Sequence, residues 1–370
     1  MDEAARFFFR NGIQWTFCNV LFLFLQFTRK NYRGKMIVRE IFQSYYGGKA
    51  MIAEKWCLLV CLADNCWNDS PTRPDCQGEI YYKKLRADVK AWNEIVDCAA
   101  ENGCDSILLD IANGIRFDSH PEIAVEGAWT PEFMRSEVKR LRDEKGIKLY
   151  PRLNFSAGHD AWLEEYSRMV STQRYYEVAR ELIHEVCDIF DTPEFFSLVL
   201  DEENWTNQQR YDFACYRQFD LVWHDVEYLC NCIREKGVRP AIGGDYCWSY
   251  PKEFIKNVKK DVLVCNWLYG SFYGDVQNPL PTDEWSTNRY KSFKLLTENG
   301  FDIMLQGGAN VNTHNFEHTI RYALENLNQD KIRGMIICGS WAAPMDDSKY
   351  WYMDAIYQAK YAREKLLGGK

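Results

Sequence analysis

The chain has 370 residues, with a formal net charge of −8, 46% hydrophobic residues and 26% charged residues. One α/β barrel, which takes roughly 250 residues or more with insertions, can absorb most of this length, so two large domains are not required. The acidic balance and the lack of a Lys/Arg patch argue against a nucleic-acid partner and favour an uncharged substrate such as a neutral sugar.

The first part of the chain is predicted to be a poorly defined extension, residues 1–50, before a barrel that occupies residues 51–370. Residues 13–27 (IQWTFCNVLFLFLQF) are apolar, but this stretch includes polar residues and is shorter than the ~20 residues that a membrane-spanning helix needs. Acidic residues before the stretch and basic residues after it are atypical of a signal peptide. We therefore expect a structural or spurious extension, with Met36 as an alternative start, and no membrane association. Secretion through the apolar stretch is the open alternative.

From Trp56 onward, short apolar runs that favour strands alternate with segments of helical spacing. The predicted strands cover residues 56–62, 106–109, 148–153, 195–200, 239–243, 261–265, 301–305 and 333–338. The predicted helices include residues 83–102, 131–145, 175–190 and 219–236, the second with Thr130 as N-cap and Pro131 at its first position. Eight alternations favour a closed (β/α)8 barrel, the TIM barrel of the α/β class, over an open doubly wound sheet.

The fourth predicted strand, in the stretch FFSLVLDEEN, ends in three adjacent carboxylates, Asp201, Glu202 and Glu203. An apolar strand cannot continue through three charges, so they are expected just beyond its carboxyl end. In a parallel barrel that rim is where sites are built. The alternative is a solvated acidic loop that opens the next helix, since carboxylates also complement a helix N-terminus.

Other polar and aromatic residues follow the remaining predicted strands and would meet at the same rim. They are Asn65, Trp67, Asp110, Asn154, His159, Asp160, Asp245, Trp248, Asn266, Trp267, Gln306 and Trp341. Carboxylates supply acid or base, amides bind hydroxyl groups, and indole faces stack on the C–H surfaces of sugars. Together with Glu203, this set predicts a substrate-binding site for a carbohydrate or glycoside. Packing at the top of the barrel is the alternative role of the tryptophans.

The sequence favours chemistry without a cofactor. No glycine-rich phosphate motif follows any predicted strand, and there is no GxSxG elbow. His159 and Asp160 could ligate a metal ion, but without a second histidine we expect a hydrogen-bonded pair and no metal. The 14 cysteines lie scattered in apolar runs without zinc spacing. We expect buried, reduced thiols, which are typical of a cytoplasmic protein.

The stretch FFSLVLDEEN resembles the fourth-strand signature of family 20 glycoside hydrolases, the β-N-acetylhexosaminidase group, whose pattern is His-x-Gly-Gly-Asp-Glu. HPEIAVEGAWTPE at 120–132, LYPRLNFSAGHDAWL at 149–163 and YSRMVST at 166–172 resemble uncharacterised bacterial barrel proteins related to that superfamily. The resemblance implies that Glu202 is the general acid/base and that Asp201 orients the substrate's acetamido group, which attacks the anomeric carbon. Ser197 stands in place of the family's His, and Val199 and Leu200 in place of the two Gly.

The residues themselves set a condition for this chemistry. Neighbouring residues of a strand point to opposite sides, so Asp201 and Glu202 can face one site only if the strand breaks there. Like charges held close would raise one pKa, as a general acid at neutral pH requires. We therefore predict a glycoside hydrolase, with Asp110 or Asp245 as alternative second carboxylates. A non-catalytic carbohydrate-binding barrel and a metal-dependent lyase or isomerase on the same fold are the other hypotheses.

Overall fold

Eight parallel strands close into a barrel in chain order. The computed structural model describes residues 55–66, 81–209, 213–274, 280 and 282–368. Its strands are β1 Trp56–Cys61, β2 Ser106–Asp110, β3 Lys148–Arg152, β4 Phe195–Ser197, β5 Arg239–Gly243, β6 Leu263–Trp267, β7 Ile303–Gly308 and β8 Ile332–Cys338. Each strand pairs with the next, and β8 pairs with β1. The predicted (β/α)8 barrel is confirmed, while the extension and residue Trp67 lie outside the described residues.

Helices follow the strands along the chain. The longer ones are Val89–Glu101, Pro131–Arg140, Gln173–Ile189, Asp220–Arg234, Glu284–Glu298, Asn315–Asn326 and Lys349–Arg363, and the short ones are Trp205–Gln208, Asp245–Ser249 and Pro251–Asn257. The predicted cap at Thr130 is confirmed, because its hydroxyl accepts a hydrogen bond from the Phe133 backbone N–H. Within the described ranges, no helix has the length and apolar character needed to cross a membrane.

Alternate residues of the strands fill the barrel interior. This core contains Cys57, Leu59, Leu108, Tyr150, Phe195, Ala241, Leu263, Cys265, Met304, Ile336 and Cys338. The same alternation turns Asp110 of β2 and Arg152 of β3 inward one layer higher, where Arg152 Nε lies 2.7 Å from Asp110 Oδ2. Both side chains are buried, so an ion pair caps the apolar core immediately below the strand-end rim.

The strand β4 is shorter than predicted: it ends at Ser197 instead of continuing to Leu200. Val199, Leu200 and Glu202 have φ angles of 57°, 58° and 49°, in the left-handed region that costs a non-glycine residue about 1–2 kcal/mol. Val199 and Leu200 stand at the positions of the two glycines in the pattern that this stretch resembles. The backbone therefore has the conformation that glycine favours, although both side chains are present and buried.

The neighbouring strand β5 supports this irregular segment. The Leu198 N–H donates to Ala241 O at 2.9 Å, and the Gly243 N–H donates to Val199 O at 2.6 Å. A Cβ atom on Gly243 would lie 2.8 Å from Val199 O and 3.2 Å from Asp245 Oδ2. The close approach of the two chains thus requires glycine at this position.

We expect Gly243→Ala to lower the free energy of unfolding by about 1–3 kcal/mol, because the added methyl group collides with a backbone oxygen that cannot move away freely. Gly270→Ala is the matched control, since a Cβ there meets no atom within 4 Å. Urea unfolding of both variants measures the difference. Equal midpoints for Gly243→Ala and the wild type would contradict the account of the β4–β5 approach.

Candidate active site

Asp201 and Glu202 lie on the same side of the break after β4, because the left-handed backbone interrupts the alternation of side chains. His159 marks this shared side: its Nε2 lies 3.4 Å from Glu202 Oε2 and 4.0 Å from Asp201 Oδ1. His159 comes from the loop after β3, as does Asn154, whose Nδ2 donates to Asp201 Oδ1 at 2.7 Å. Two consecutive strand ends therefore build one polar centre.

The two carboxylates differ in their access to solvent. The side chain of Asp201 is 4% exposed, whereas that of Glu202 is 29% exposed. Asn207, on the short helix after β4, fixes Glu202 by donating from Nδ2 to Oε2 at 2.9 Å. Glu202 is thus the member of the pair that a bound molecule can reach, and Asp201 supports it from below.

Asp245 adds a third carboxylate from the end of β5. Its Oδ1 accepts the backbone N–H of Glu202 at 3.2 Å, and its Oδ2 accepts the indole N–H of Trp267 at 3.2 Å. The residue is buried. Asp245 therefore holds the backbone of Glu202 in its left-handed conformation and links it to the aromatic side of the rim.

Burial dominates the electrostatics of these carboxylates. It raises the pKa of Asp201, against the lowering effect of His159 and Arg152. It raises the pKa of Asp245 well above its ordinary value, with Asp201 and Glu202 adding to the increase. It also raises the pKa of Asp110 to about 6, against the charge of Arg152.

The pKa of Glu202 shifts in the opposite direction. Burial would raise its pKa, but the hydrogen bond and charge of His159, together with Arg289 and Asn207, outweigh burial and lower it. The expected splitting of neighbouring carboxylates is present, yet the raised member is Asp201 and not Glu202. Sequence reasoning missed this because His159 and Arg289 reach Glu202 from other strand ends.

The predicted tryptophans have unequal roles. Trp248 is fully buried and donates to Asn266 Oδ1 at 3.1 Å, so it packs instead of offering a face to a ligand. One face of Trp267 is covered by Arg289, whose Cζ lies 3.6 Å from the ring centroid. Trp341 is 37% exposed, and its ring centroid lies 6.0 Å from that of Tyr269.

The predicted Glu203 and Asp160 belong to a structural network instead of the polar centre. Glu203 accepts the backbone N–H of Ala157 at 2.8 Å and forms a buried ion pair with Arg217. Arg217 also pairs with Asp225 through Nε at 2.7 Å. Asp160 accepts the backbone N–H of Arg168 at 2.7 Å and the Ser167 hydroxyl at 3.0 Å.

The remaining predicted amides are also internally bonded. Asn65 donates from Nδ2 to the Tyr82 carbonyl oxygen at 2.8 Å and accepts the Tyr82 backbone N–H at 2.9 Å. Its Nδ2 also donates to Asn113 Oδ1 at 3.2 Å. Asn266 donates to Ser292 Oγ at 2.8 Å, and Gln306 donates to the Tyr269 hydroxyl at 2.7 Å. These contacts place them as supports of the rim. In the part of the chain that the structure describes, no group of three or more His, Cys, Asp or Glu side chains could hold a metal ion.

Solved structures share this fold. The tandem family 20 catalytic modules of the pneumococcal exo-β-D-N-acetylglucosaminidase StrH include a chain that is 14% identical, with a TM-score of 0.55 over 86% of this chain and 85% of that one. An inactive mutant of the family 20 exo-β-N-acetylglucosaminidase from Vibrio harveyi is 13% identical, with a TM-score of 0.54 over 85% and 56% of the two chains. A family 138 enzyme that targets pectin rhamnogalacturonan II is 10% identical, with a TM-score of 0.52 over 92% and 54%.

The fold is that of the family 20 barrels. At 10–15% sequence identity, these similarities show a shared fold and do not show a shared reaction. No protein-family model matches the sequence, and no curated protein matches it either.

Sequence reasoning missed four residues of this site: Arg152, Asn207, Tyr269 and Arg289. Arg152 and Tyr269 lie at or next to strand ends, so the alternation of the strands could have indicated them. Asn207 and Arg289 lie on helices, and nothing in their local sequence separates them from ordinary surface polar residues. Their roles follow only from the closure of the barrel.

The contacts predict that substitution of two neighbouring glutamates has unequal effects on the free energy of unfolding. Glu203→Gln should lower the free energy of unfolding by about 3 kcal/mol, because it removes one partner of the buried pair with Arg217. Glu202→Gln should leave stability nearly unchanged, since the amide can still bond with Asn207. Thermal and urea unfolding compare the two variants. Equal destabilisation would show that Glu203 is not the structural member of the pair.

Proposed function

We propose that this chain is a glycoside hydrolase, with Glu202 as the general acid/base and Asp201 as the assisting carboxylate. The observation that carries the proposal is the pairing of a solvent-accessible carboxylate with a buried one at the end of β4, both beside His159. Glycosidases work through two carboxyl groups in unlike environments. The shared architecture of family 20 enzymes and the Asp-Glu order at the same strand support this reading.

The geometry suggests how each group would act. Glu202, held by Asn207 and His159, protonates the glycosidic oxygen as the bond to the anomeric carbon breaks. Asp201, fixed by Asn154, orients a polar group of the substrate and stabilises positive charge at the sugar. Glu202, now ionised, then takes a proton from the water that attacks the anomeric carbon.

The finer assignment is a hexosaminidase-type, substrate-assisted reaction. In this version the acetamido oxygen of the substrate attacks the anomeric carbon, and Asp201 bonds to the acetamido N–H. The resemblance at Asp201 and Glu202 supports it, together with the left-handed Val199 and Leu200, which adopt the conformation that the family's two glycines would favour. Ser197, in place of the family's His, is the main departure.

The protonation of Glu202 governs the pH dependence. The acid form of Glu202 is needed for the first step, and its pKa in the free site is lowered. Activity that depends on this form is present at low pH and falls as pH rises through the lowered pKa. We therefore expect kcat/KM to be favoured by acidic conditions.

Glu202→Gln should reduce turnover of a cleaved aryl glycoside by about 10²–10⁴-fold, because the amide cannot donate the proton. A panel that includes 4-nitrophenyl N-acetylglucosaminide identifies the substrate. Glu165→Gln is the control, because Glu165 is exposed and lies on the short 3-10 helix Ala161–Tyr166 that follows β3. Unchanged turnover in Glu202→Gln would refute the assignment. Binding of sugars by the wild type without cleavage of any panel member would favour the non-catalytic barrel.

His159→Asn should move the basic limb of the kcat/KM profile to higher pH, because it removes the hydrogen bond and charge that lower the pKa of Glu202. The measurement is the pH profile of both proteins on the same glycoside. His184→Asn, on the helix Gln173–Ile189 and paired there with Glu235, is the matched control. A basic limb that stays in place in His159→Asn would show that His159 does not set the protonation of Glu202.

A further inference from the structure

Arg289, on the helix Glu284–Glu298, is partly buried, and it differs in its partners from the other arginines near the barrel top. Arg152, Arg168 and Arg217 each have a carboxylate partner: Asp110 at 2.7 Å, Asp160 at 3.9 Å and, for Arg217, both Glu203 and Asp225. Arg289 has no carboxylate oxygen within ion-pair distance among the described residues. Within those residues, its side chain makes one hydrogen bond, from Nε to the Trp267 backbone oxygen at 3.1 Å.

The guanidinium of Arg289 is held firmly by aromatic rings. Its Cζ lies 3.6 Å from the ring centroid of Trp267, 4.7 Å from that of Trp248 and 5.8 Å from that of Trp285. Stacking on indole faces fixes the plane of the group and excludes water from that side. With Nε already bonded, the two terminal nitrogens have no acceptor among the residues that the structure describes, so their N–H donors can serve a ligand.

The position of this cation connects it to the proposed catalytic centre. Arg289 lies close enough to Asp245 and Glu202 for their charges to affect it, while burial lowers its pKa. A partly buried cation that has no carboxylate at ion-pair distance among the described residues is unfavourable, and binding of an anion relieves that cost. The planar fork of a guanidinium matches the two oxygens of a carboxylate.

We propose that Arg289 anchors a subsite for a carboxylate carried by the sugar that is bound beside Glu202. This inference rests on the proposed glycosidase function and names its substrate class: glycosides that contain an acidic sugar, such as a uronic acid. The overall charge of the chain indicated a neutral sugar, but the local charge at Arg289 points to an anionic one. The exposed indole of Trp285, 42% accessible, adjoins this subsite.

Such a subsite would also couple substrate binding to catalysis. Among the described residues, the charged or titratable groups that act on Glu202 include His159 from the β3 loop, Asp201, Asp245 from the β5 end and Arg289. The positive charge of Arg289 is one of the influences that lower the pKa of Glu202. A bound carboxylate would offset that charge, so the acidic substrate would favour the protonated, acid form of Glu202.

Calorimetry with matched sugars tests the subsite without requiring turnover. The ligands are glucuronate with glucose and galacturonate with galactose, which differ in the carboxylate, and glucose 6-sulfate as a second anion. We expect the full-length wild type to bind a uronate at least about tenfold more tightly than its neutral partner. Arg289→Gln should remove this preference, and Arg289→Lys should retain only part of it, because the charge remains but the fork is lost.

Arg180→Gln is the control. Arg180 lies exposed on the helix Gln173–Ile189 and forms a surface ion pair with Glu235 at 2.8 Å. Unchanged melting temperatures confirm that each variant is folded. A uronate preference that persists in Arg289→Gln, the absence of uronate binding, or tighter binding of the sulfated sugar would each overturn the carboxylate subsite. Cleavage of neutral glycosides without any acidic preference would refute the subsite alone, whereas an Arg289-dependent preference without any cleavage would refute hydrolysis alone.

Discussion

The break in β4 is the constraint on which the rest of the site depends. A regular strand would turn Asp201 inward and Glu202 outward, because its side chains alternate. The left-handed angles at Val199, Leu200 and Glu202 remove that alternation and bring both carboxylates toward His159. This conformation is costly for residues with bulky side chains, and the hydrogen bonds from β5 and the Asp245 carboxylate stabilise it.

Burial and neighbouring charges set the pKa values of the carboxylates around the β4 break. The buried carboxylates Asp201, Asp245 and Asp110 have raised pKa values, whereas the more accessible Glu202 has a lowered one. In the free site, burial therefore favours protonation of the buried carboxylates, whereas the neighbours of Glu202 disfavour its protonation.

The sequence predicted the barrel well because the strands carry their own signal. Their apolar runs, with polar residues at the ends, located all eight strands to within a few residues. The sequence does not indicate the end of β4, because Val199 and Leu200 are residue types that favour strands, and only the structure shows their left-handed backbone. The positions of His159, Asn207 and Arg289 relative to Glu202 depend on closure of the barrel, which no local pattern encodes. Its position next to Glu202 places Glu203 in the predicted site, but its partner Arg217 lies in a later segment of the chain.

The most direct test is a crystal structure of the Glu202→Gln variant bound to an intact glycoside of the kind that the wild-type protein cleaves. We expect the glycosidic oxygen to lie within hydrogen-bond distance of residue 202 and a polar group of the same sugar to contact Asp201. A glycoside bound elsewhere on the barrel, or one whose scissile bond lies out of reach of residue 202, would contradict the proposed function.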